Sequence, residues 1–342
     1  MREISIQKNE AGQRMDKFLA KYLNKAPKSF FYKMMRKKNI TLNGKKAVGN
    51  EQLKQGDVIK LFLAEETIEN FIDHSQFSKK KASSAKKQTA GKKVQLDILY
   101  EDEAAVFINK PVGMLSQKAS PTDTSLVEYF IDYLLENGKI TEEELHTFHP
   151  SVCNRLDRNT SGIVAAGKTL QALQGLSEMF RDRTLKKYYL CLVKGQVKEN
   201  QRIHGYLVKN EKTNKVTVSQ KKPAEQTKDG KEASAIHTEY KVLARNRETT
   251  LLEVHLITGK THQIRAHLAS IGHPIAGDYK YGNRSFNDAL KKEYGLRSQL
   301  LHAYRLEFPE NCEGDIKQLS GKIIKAPVPA LFERICKAQG VM

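Results

Sequence analysis

The amino-acid sequence predicts an α+β protein, in which a small helical module precedes a larger domain with a mixed, mainly antiparallel sheet flanked by helices. Two helical patterns and a short hairpin signal occupy the first part of the 342-residue chain. A lysine-rich segment follows, and from residue 94 onward short strand-like runs outnumber the helical patterns between them. Many short strands with few intervening helices are typical of an α+β fold.

These shifts in composition divide the chain into residues 1–72, 73–93 and 94–342. The middle segment contains seven lysines among Ser, Ala, Gln and Gly. Such a segment cannot bury enough apolar surface to offset the entropy of ordering, so we expect a flexible basic linker. It could also contact phosphates without folding.

The amino-terminal module is expected to contain two helices, at residues 13–24 and 27–38, because apolar side chains recur there at helical spacing. The second helix also carries five Lys and Arg residues between positions 28 and 38. Strands are expected at residues 40–42 and 57–63, and Asn-Gly after the first of them predicts a hairpin turn. Residues 1–72 therefore form a two-helix unit with a basic face and a small β end.

The large domain is predicted from runs of β-branched and aromatic residues. Strands are expected at residues 96–100, 104–108, 163–166, 187–193, 237–243 and 250–257. A turn is expected at 109–114, a helix from Thr124 or Ser125 to about residue 137, and another from Thr169 through Phe180. Residues 209–234 are polar and lysine-rich, so they predict a long hairpin tip or an insertion that orders on binding.

The charge of the chain indicates its partner. Lys and Arg total 58 against 39 acidic residues, which gives a formal net charge of +19 and a pI near 9.6. Such an excess favours nucleic acid or an anionic membrane surface as the partner. No run approaches the roughly 18 to 20 apolar residues of a membrane span, and charges throughout the first twenty residues argue against a secretory signal. We expect a protein of the cytoplasm.

The cysteines support the same compartment. Cys153, Cys191, Cys312 and Cys336 are widely spaced and form no CxxC pair. A zinc ribbon or a disulfide framework is therefore not expected, and reduced thiols are the default. Cys153 lies beside a polar loop, but we interpret it as a packed structural residue.

The polar loop at residues 154–162, with the sequence NRLDRNTSG, is the first candidate for chemistry. Asp157 lies between Arg155 and Arg158, and a strand-like apolar run follows the loop. Nearby positive charge favours the ionised carboxylate, which suits a nucleophile or a base beside a polyanion. On its own, the loop is equally compatible with an ordinary exposed turn.

Two other patterns are misleading. Residues 162–169, GIVAAGKT, match the Walker A pattern, but a P-loop needs its apolar strand before the first glycine, and here the strand lies inside the motif. Nucleotide hydrolysis is therefore a rival that we set aside. His255, His262, His267 and His273 lack the i, i+4 spacing of a zincin helix, so we interpret them as core-packed or RNA-facing and expect no metal.

A third stretch, residues 258–282, combines glycines, histidines and Arg265. A helix from about Thr261 would direct Ile264, His267 and Leu268 toward a core and leave Arg265 to face an anion. A buried arginine almost requires a carboxylate partner, and Asp157 is the candidate that we predict.

Together these motifs resemble the RluA-type pseudouridine synthases. Residues 155–162 are similar to the RLD-x-x-TSG catalytic motif, 187–193 to K-x-Y-L-x-L-V, and 258–282 to TG-[KR]-x-HQIR-x-H with its GHPI-x-GD-x-x-YG continuation; 301–303 match a further short signature. The four motifs lie in register over residues 94 to about 330. Residues 1–72 resemble the S-four RNA-binding module.

The resemblance implies an RNA pseudouridine synthase, an isomerase without cofactor or metal. Asp157 would correspond to the essential carboxylate, and the resemblance leaves open whether it adds to the ribose or acts as a base. Tyr189 would stack on the target base and remove the carbon-5 proton, although Tyr188 leaves the register uncertain. Arg265 would pair with the carboxylate, and Arg155 would fill the space left by the flipped nucleotide.

The remaining implied contacts form two groups. The residues expected to contact the target nucleotide are Arg155, Arg158, Thr160, Ile264 and Leu301. The residues expected to contact RNA phosphates are Arg14, Lys28, Lys33, Arg36, Lys37 and Lys38. One departure is Asn154, where many members carry His, so the role of that histidine is not transferred.

The resemblance favours large-subunit (23S) ribosomal RNA as the substrate, with transfer RNA as the alternative. A noncatalytic RNA-binding or ribosome-assembly protein is the rival from another class. Retention of Asp157, Tyr189 and Arg265 together argues against it. A monomer is expected by default.

Overall fold

The amino-terminal module consists of a four-stranded sheet covered by helices. The computed structural model describes residues 1–73, 94–142, 144–210, 213–222 and 233–342. The elements of this module are β1 (Arg2–Ser5), α1 (Met15–Tyr22), α2 (Lys28–Arg36), β2 (Ile40–Leu42), β3 (Lys45–Lys46), β4 (Val58–Leu61) and α3 (Glu65–Asn70). The sheet order is β1-β4-β2-β3, and all three pairings are antiparallel.

The predicted hairpin of this module is present. Asn43 and Gly44 have φ values of 50° and 74°, the positive values that an Asn-Gly turn of type I′ requires. The module has its own apolar cluster, which runs from Ile6 to Ile72 and includes Met15 and Phe18 of α1. This cluster supports the predicted boundary near residue 72, which stays a prediction.

The larger part of the chain is built on one mixed sheet. Its strands are β5 (Ile98–Glu101), β6 (Ala105–Lys110), β7 (Ser151–Val152), β8 (Ser161–Gly167), β9 (Lys186–Lys194), β10 (Gln201–Asn210), β11 (Lys215–Ser219), β12 (Ser234–Arg245), β13 (Thr249–Leu256), β14 (Leu301–Glu307) and β15 (Ile323–Lys325). The order is β11-β10-β12-β13-β9-β14-β8-β6-β5, with β15 on β14 and β7 on β8. Within the described residues only β14 and β8 pair in parallel, which confirms the mixed, mainly antiparallel sheet.

Helices pack on both sides of this sheet. They are α4 (Leu126–Glu136), α5 (Leu170–Asp182), α6 (Gln263–Ser270), α7 (Arg284–Tyr294) and α8 (Ala330–Ala338), with 3₁₀ turns at Glu144–His146 and Gly314–Leu319. Successive residues of β8 contact opposite cores: Val164 packs with α4 and α6, whereas Ile163 packs with α5. Burial on both faces explains why β8 is a continuous apolar run.

The helix caps follow the sequence signals. Ser125 caps α4 in a capping box with Glu128, and Thr169 caps α5 by accepting a hydrogen bond from Ala172 N at 3.1 Å. Residues 162–167 of the apparent Walker A pattern lie within β8, which runs from Ser161 to Gly167. The structure therefore confirms the two helix starts and the rejection of a P-loop geometry.

Three predictions need correction or fall outside the described residues. The turn expected at 109–114 begins later, because Asn109 and Lys110 still pair with Ile163 and Gly162 of β8. Part of the polar segment is regular, because the β10–β11 hairpin contains residues 209–210 and 215–219. The expected linker beyond Asp73 and residues 223–232 lie outside the described residues. No helix in the described part of the chain is long and apolar enough to cross a membrane.

Candidate active site

The polar loop of residues 154–162 leads into β8 and is hydrogen-bonded to the segment that follows β6. Ser116 Oγ donates to Leu156 O and accepts from Leu156 N, both at 3.0 Å. Gly113 N donates to Arg158 O at 2.9 Å, and Arg158 Nε returns a bond to Gly113 O at 3.2 Å. These bonds fix the backbone on both sides of Asp157.

A buried lysine reinforces this attachment. Lys110 is fully buried, and its ammonium donates to the carbonyls of Pro111, Met114 and Arg158 at 3.0, 2.9 and 3.2 Å. Burial lowers the pKa of Lys110 to about 8, and the negative charge of Asp157 opposes that shift. The sequence pattern predicts a turn at Lys110 and indicates no role for this residue.

The two ends of the loop are fixed by residues with different functions. Asn154 accepts from Ala165 N at 2.8 Å and donates to Ile163 O at 3.2 Å, so its amide bonds to the neighbouring strand. Gly162 has a φ of 113°, and a Cβ there would lie 2.1 Å from the carbonyl oxygen of Ala303. Only glycine allows β8 and β14 to approach this closely.

The predicted contact between Asp157 and Arg265 is present. Nη1 of Arg265 donates to Oδ2 of Asp157 at 2.8 Å. Nε and Nη2 of Arg265 donate to Oδ2 and Oδ1 of Asp278 at 2.7 and 3.0 Å. Asp278 is 1% exposed, whereas the side chain of Asp157 is 27% exposed. The arginine therefore joins one buried and one accessible carboxylate.

The charges of this triad support each other. Burial alone would lower the pKa of Arg265, but its bonds to Asp278 and the charges of both carboxylates raise it overall. Burial tends to raise the pKa of Asp278, and Arg265 holds it below its usual range. Oδ1 of Asp157 has no hydrogen-bond partner among the residues that the structure describes, so it is free to face a substrate.

Tyr189 lies on β9 beside this carboxylate. It is 7% exposed and packs with Ile264 and Leu301 in the same apolar cluster. Burial raises its pKa, and the charge of Asp157 raises it further, so the phenol is protonated at neutral pH. Within the described residues its hydroxyl has no hydrogen-bond partner. Tyr188 stacks on His255 instead, which places Tyr189 and not Tyr188 near Asp157.

Two residues near Asp157 were not assigned to the site from the sequence. Nε2 of His262 lies 3.9 Å from Oδ2 of Asp157, and Nδ1 of His262 lies 2.9 Å from the hydroxyl of Tyr281. The guanidinium of Arg265 lies 5.2 Å from the centre of the Tyr281 ring. The GHPI-x-GD-x-x-YG match contained Tyr281 and Asp278, but sequence spacing does not show which side chains they contact.

The other predicted substrate contacts are divided between the surface and the interior. Arg155 and Arg158 are exposed at the edge of the loop. Thr160 is buried, and its hydroxyl accepts from Gln299 Nε2 at 3.2 Å. Ile264 and Leu301 are buried beside Tyr189. Their roles toward RNA stay predictions.

The six basic residues predicted to bind RNA phosphates are all exposed on the amino-terminal module: Arg14, Lys28, Lys33, Arg36, Lys37 and Lys38. Arg14 is paired with Asp16 at 2.9 Å. Lys45 and Lys46 of β3 add two exposed cations to the same module. This exposure leaves the other five cations accessible to a polyanion.

The residues of the apparent Walker motif have ordinary structural roles. Lys168 forms an ion pair with Glu101 at 2.8 Å, and Thr169 bonds to Asp315 as well as capping α5. No group of three or more His, Cys, Asp or Glu in the described ranges is arranged to hold a metal ion. The four cysteines are unpaired thiols, and burial raises the pKa of Cys153 to about 12.

A mixed sheet with an accessible carboxylate, a paired arginine and a tyrosine whose hydroxyl is unpartnered within the described ranges is typical of an enzyme site of acid–base or nucleophilic type. The family model described as RNA pseudouridylate synthase matches residues 104–270, which include the polar loop, Tyr189 and Arg265. The chain belongs to this family and is an RNA pseudouridine synthase, an isomerase. This confirms the family predicted from the sequence.

Known proteins that resemble the chain agree with this assignment. A protein of Vibrio parahaemolyticus serotype O3:K6 (strain RIMD 2210633), named ribosomal large subunit pseudouridine synthase C, is 32% identical over 336 residues, covering 97% of this chain and 94% of that protein. A Salmonella typhi protein of the same name is 32% identical and covers 94% and 93%. The solved structure of human RNA pseudouridylate synthase domain containing 4 has a TM-score of 0.57 at 23% identity, covers 72% and 94%, and is similar in fold.

Proposed function

We propose that this enzyme converts uridines of large-subunit ribosomal RNA to pseudouridine, with Asp157 as the essential carboxylate. The observation that carries the proposal is the arrangement around Asp157. Arg265 holds one oxygen of this carboxylate, the other oxygen is accessible, and Tyr189 lies nearby with a hydroxyl that bonds to none of the described residues. The names of the relatives support the large ribosomal subunit as the source of the RNA.

The reaction needs no added reactant, because it breaks the bond between ribose and N1 of uracil and joins the same ribose carbon to C5. The base must rotate between these steps, and C5 then loses its proton while N1 gains one, so that the product is an isomer of uridine. Oδ1 of Asp157 is the group available to assist bond cleavage. Arg265 orients this carboxylate before RNA binds, because its Nη1 donates to Oδ2 of Asp157.

Tyr189 is assigned to contacts with the uracil ring of the target uridine. The tyrosine ring belongs to the same buried apolar cluster as Ile264 and Leu301, and an aromatic ring beside the carboxylate suits stacking on a flipped uracil. Its raised pKa disfavours a phenolate while Asp157 is ionised. Proton removal from C5 is assigned to Tyr189 at the stage after the new bond between ribose and C5 has formed.

Arg155 and Arg158 are assigned to the RNA around the target. Both are exposed beside Asp157, where a flipped nucleotide would leave a gap in the RNA stack. Flipping costs a few kcal/mol of unstacking, and a cation inserted into the gap would offset part of that cost. Thr160 is assigned an indirect role, because its hydroxyl oxygen already accepts a hydrogen bond from Gln299.

The amino-terminal module is assigned to phosphate contacts as an S-four-like RNA-binding domain of residues 1–72. Its exposed basic residues would supply affinity without sequence information, while the catalytic domain selects the uridine. The cytoplasm and a monomeric state are part of the same proposal.

The substrate assignment is tested by mapping pseudouridine across all RNAs in a strain that lacks this protein. Loss of specific sites in large-subunit ribosomal RNA, restored by the wild-type gene and not by an Asp157→Asn allele, is the expected result. Loss confined to transfer RNA would contradict the assignment. Restoration by the Asp157→Asn allele would instead favour a noncatalytic RNA-binding role.

A further inference from the structure

His262 occupies a constrained position at the start of α6. Its φ is 53°, in the left-handed region, and the helix begins at the next residue. A residue other than glycine is strained in this region. Such conformations persist where the surroundings fix them, and they are frequent at active sites. The left-handed backbone directs the imidazole of His262 between Tyr281 and Asp157.

Hydrogen bonds determine which ring nitrogen of His262 carries the proton. The backbone N–H of Val216 donates to the Tyr281 oxygen at 2.9 Å, so this oxygen already acts as an acceptor. The hydroxyl proton of Tyr281 has no acceptor other than Nδ1 of His262 in the described part of the chain. Nδ1 is therefore an acceptor, and the neutral imidazole carries its proton on Nε2.

The protonated nitrogen faces the catalytic carboxylate. Nε2 lies 3.9 Å from Oδ2 of Asp157, which is the oxygen that Arg265 also contacts. This distance exceeds a hydrogen bond by about 1 Å, and catalytic hydrogen bonds often shorten when substrate binds. Burial lowers the pKa of His262, the charge of Asp157 opposes that shift, and Arg265 and Lys280 reinforce it. The imidazole is therefore neutral at physiological pH.

Tyr281, which fixes the tautomer of His262, is itself held by hydrogen bonds. Tyr281 lies in the turn that begins with Asp278, and Asp278 accepts from the backbone N–H of Tyr281 at 3.1 Å. Lys280 of this turn donates to the carbonyl of Asn214, in the β10–β11 hairpin, at 2.6 Å. Val216, which donates to Tyr281, lies on β11. The hairpin and the turn thus hold Tyr281 from two sides.

We infer that His262 is a positioning residue for Asp157. When substrate binds, its Nε2–H donates to Oδ2 of Asp157, so that Oδ1 is the oxygen presented to the uridine. Tyr281 fixes the tautomer that this hydrogen bond requires. The inference rests on the role proposed above for Asp157. It extends the site beyond Asp157, Tyr189 and Arg265.

Two substitutions of the same residue separate positioning from folding. Asparagine tolerates the left-handed backbone, but its side chain is too short to reach Oδ2 of Asp157. Glutamine places an N–H donor near the position of Nε2. We expect His262→Asn to lower kcat on the order of a hundredfold with KM unchanged, because the carboxylate loses its orientation. We expect His262→Gln to recover at least about tenfold of that loss.

The control for these variants is His255→Gln, because His255 stacks on Tyr188 and lies outside the site. It should retain wild-type kcat. Thermal midpoints of all three variants should be compared with that of the wild type. A wild-type kcat for His262→Asn would overturn the inference. So would equal losses of kcat in His262→Asn and His262→Gln with equal thermal midpoints.

The tautomer is tested without RNA, so this result does not depend on the proposed substrate. Nitrogen-15 chemical shifts of His262 should show a protonated Nε2 and an unprotonated Nδ1. Tyr281→Phe should produce a mixture of tautomers and lower kcat severalfold, whereas Tyr279→Phe, which removes an exposed hydroxyl bonded to Asp288, should change neither. A protonated Nδ1 in the wild-type protein would contradict the inference.

Discussion

Arg265 meets the buried carboxylate of Asp278 in a two-pronged ion pair, with Nε to Oδ2 at 2.7 Å and Nη2 to Oδ1 at 3.0 Å. This pair leaves Nη1 as the nitrogen that reaches Asp157. The orientation of the Asp157 carboxylate, which we propose to be catalytic, therefore depends on a second, buried carboxylate. Asp278 in turn is held by backbone N–H groups of residues 280 and 281.

Replacing Asp278 with Asn should reduce activity and stability together. The amide cannot accept both prongs of Arg265 and leaves a buried cation without a full partner, so we expect a loss of about 3 kcal/mol in the free energy of unfolding. The kcat for pseudouridine formation should fall at least about tenfold. Chemical denaturation and single-turnover kinetics measure the two effects.

The control for this variant is Asp288→Asn, which changes an exposed aspartate of α7. It should leave kcat unchanged and shift stability by less than about 0.5 kcal/mol. If Asp278→Asn retained the wild-type kcat, Arg265 would not need its buried partner to orient Asp157.

Gly162 should be irreplaceable for a different reason. In Gly162→Ala the new Cβ would collide with the carbonyl of Ala303, at a backbone φ of 113°. We expect a loss of more than about 3 kcal/mol in the free energy of unfolding, or no folding. Gly138→Ala is the matched control, because its φ is also positive at 61° but no atom lies within 4 Å of the new Cβ.

Gly138→Ala should cost about 1 kcal/mol, which is the backbone strain without a clash. Denaturation curves of both variants give the comparison. Equal costs at the two positions would show that β8 can move away from β14, and that the close approach is not needed.

Lys187 should make stability depend on pH. It is 8% exposed, and burial lowers its pKa to about 8, with a further contribution from Arg183. In the unfolded chain its pKa is about 10.4, so between pH 8 and 10.4 the unfolded state binds more protons. The cost of the buried charge is therefore fully present below pH 8 and disappears as pH rises toward 10.4.

We expect Lys187→Met to stabilise the protein by about 2 kcal/mol at pH 7 and to remove this part of the rise in stability between pH 8 and 10. The control Lys186→Met changes the exposed neighbour and should retain the rise. Free energies of unfolding at several pH values measure the rise in each protein. An identical pH profile for Lys187→Met and the wild type would contradict the assigned burial of this charge.

The amino-terminal cations should control affinity and its salt dependence. Lys28, Lys33 and Lys37 are exposed on α2 or directly after it. Changing each of them to Gln should weaken RNA binding and reduce the slope of log K against log salt by about 0.7 to 0.9 per lost phosphate contact. The kcat at saturating RNA should be unchanged. Unaltered binding in the triple variant would remove this module from the proposed RNA interface.

Much of the site could be predicted because it lies in short, distinctive segments. The polar loop at 154–162, β9 with Tyr189 and the α6 region each carry a local pattern, and the pairing of Asp157 with Arg265 followed from the need of a buried arginine for a carboxylate. The strand pattern likewise predicted most of the mixed sheet between residues 96 and 257.

The features that could not be predicted from the sequence depend on contacts between segments that are distant in the chain. Lys110 lies next to a proline in the sequence, and only the folded chain brings the Arg158 carbonyl to its ammonium. Asp278 and Arg265 are 13 residues apart, so no helical spacing links them. Because His262 has a left-handed backbone, α6 begins at Gln263, two residues after the expected Thr261. The strand β11 was not predicted, because its alternate residues face solvent and its sequence is polar.

The central claim is that Asp157 is the carboxylate with which this chain isomerises uridine. Tritium release from large-subunit ribosomal RNA labelled at carbon 5 of uridine tests it most directly, with RNA binding measured in parallel. The wild-type protein should release tritium in proportion to the pseudouridine formed. Asp157→Asn should bind the RNA with similar affinity and release tritium at least about a thousandfold more slowly. Equal release by the wild-type protein and Asp157→Asn, at equal binding, would contradict the account.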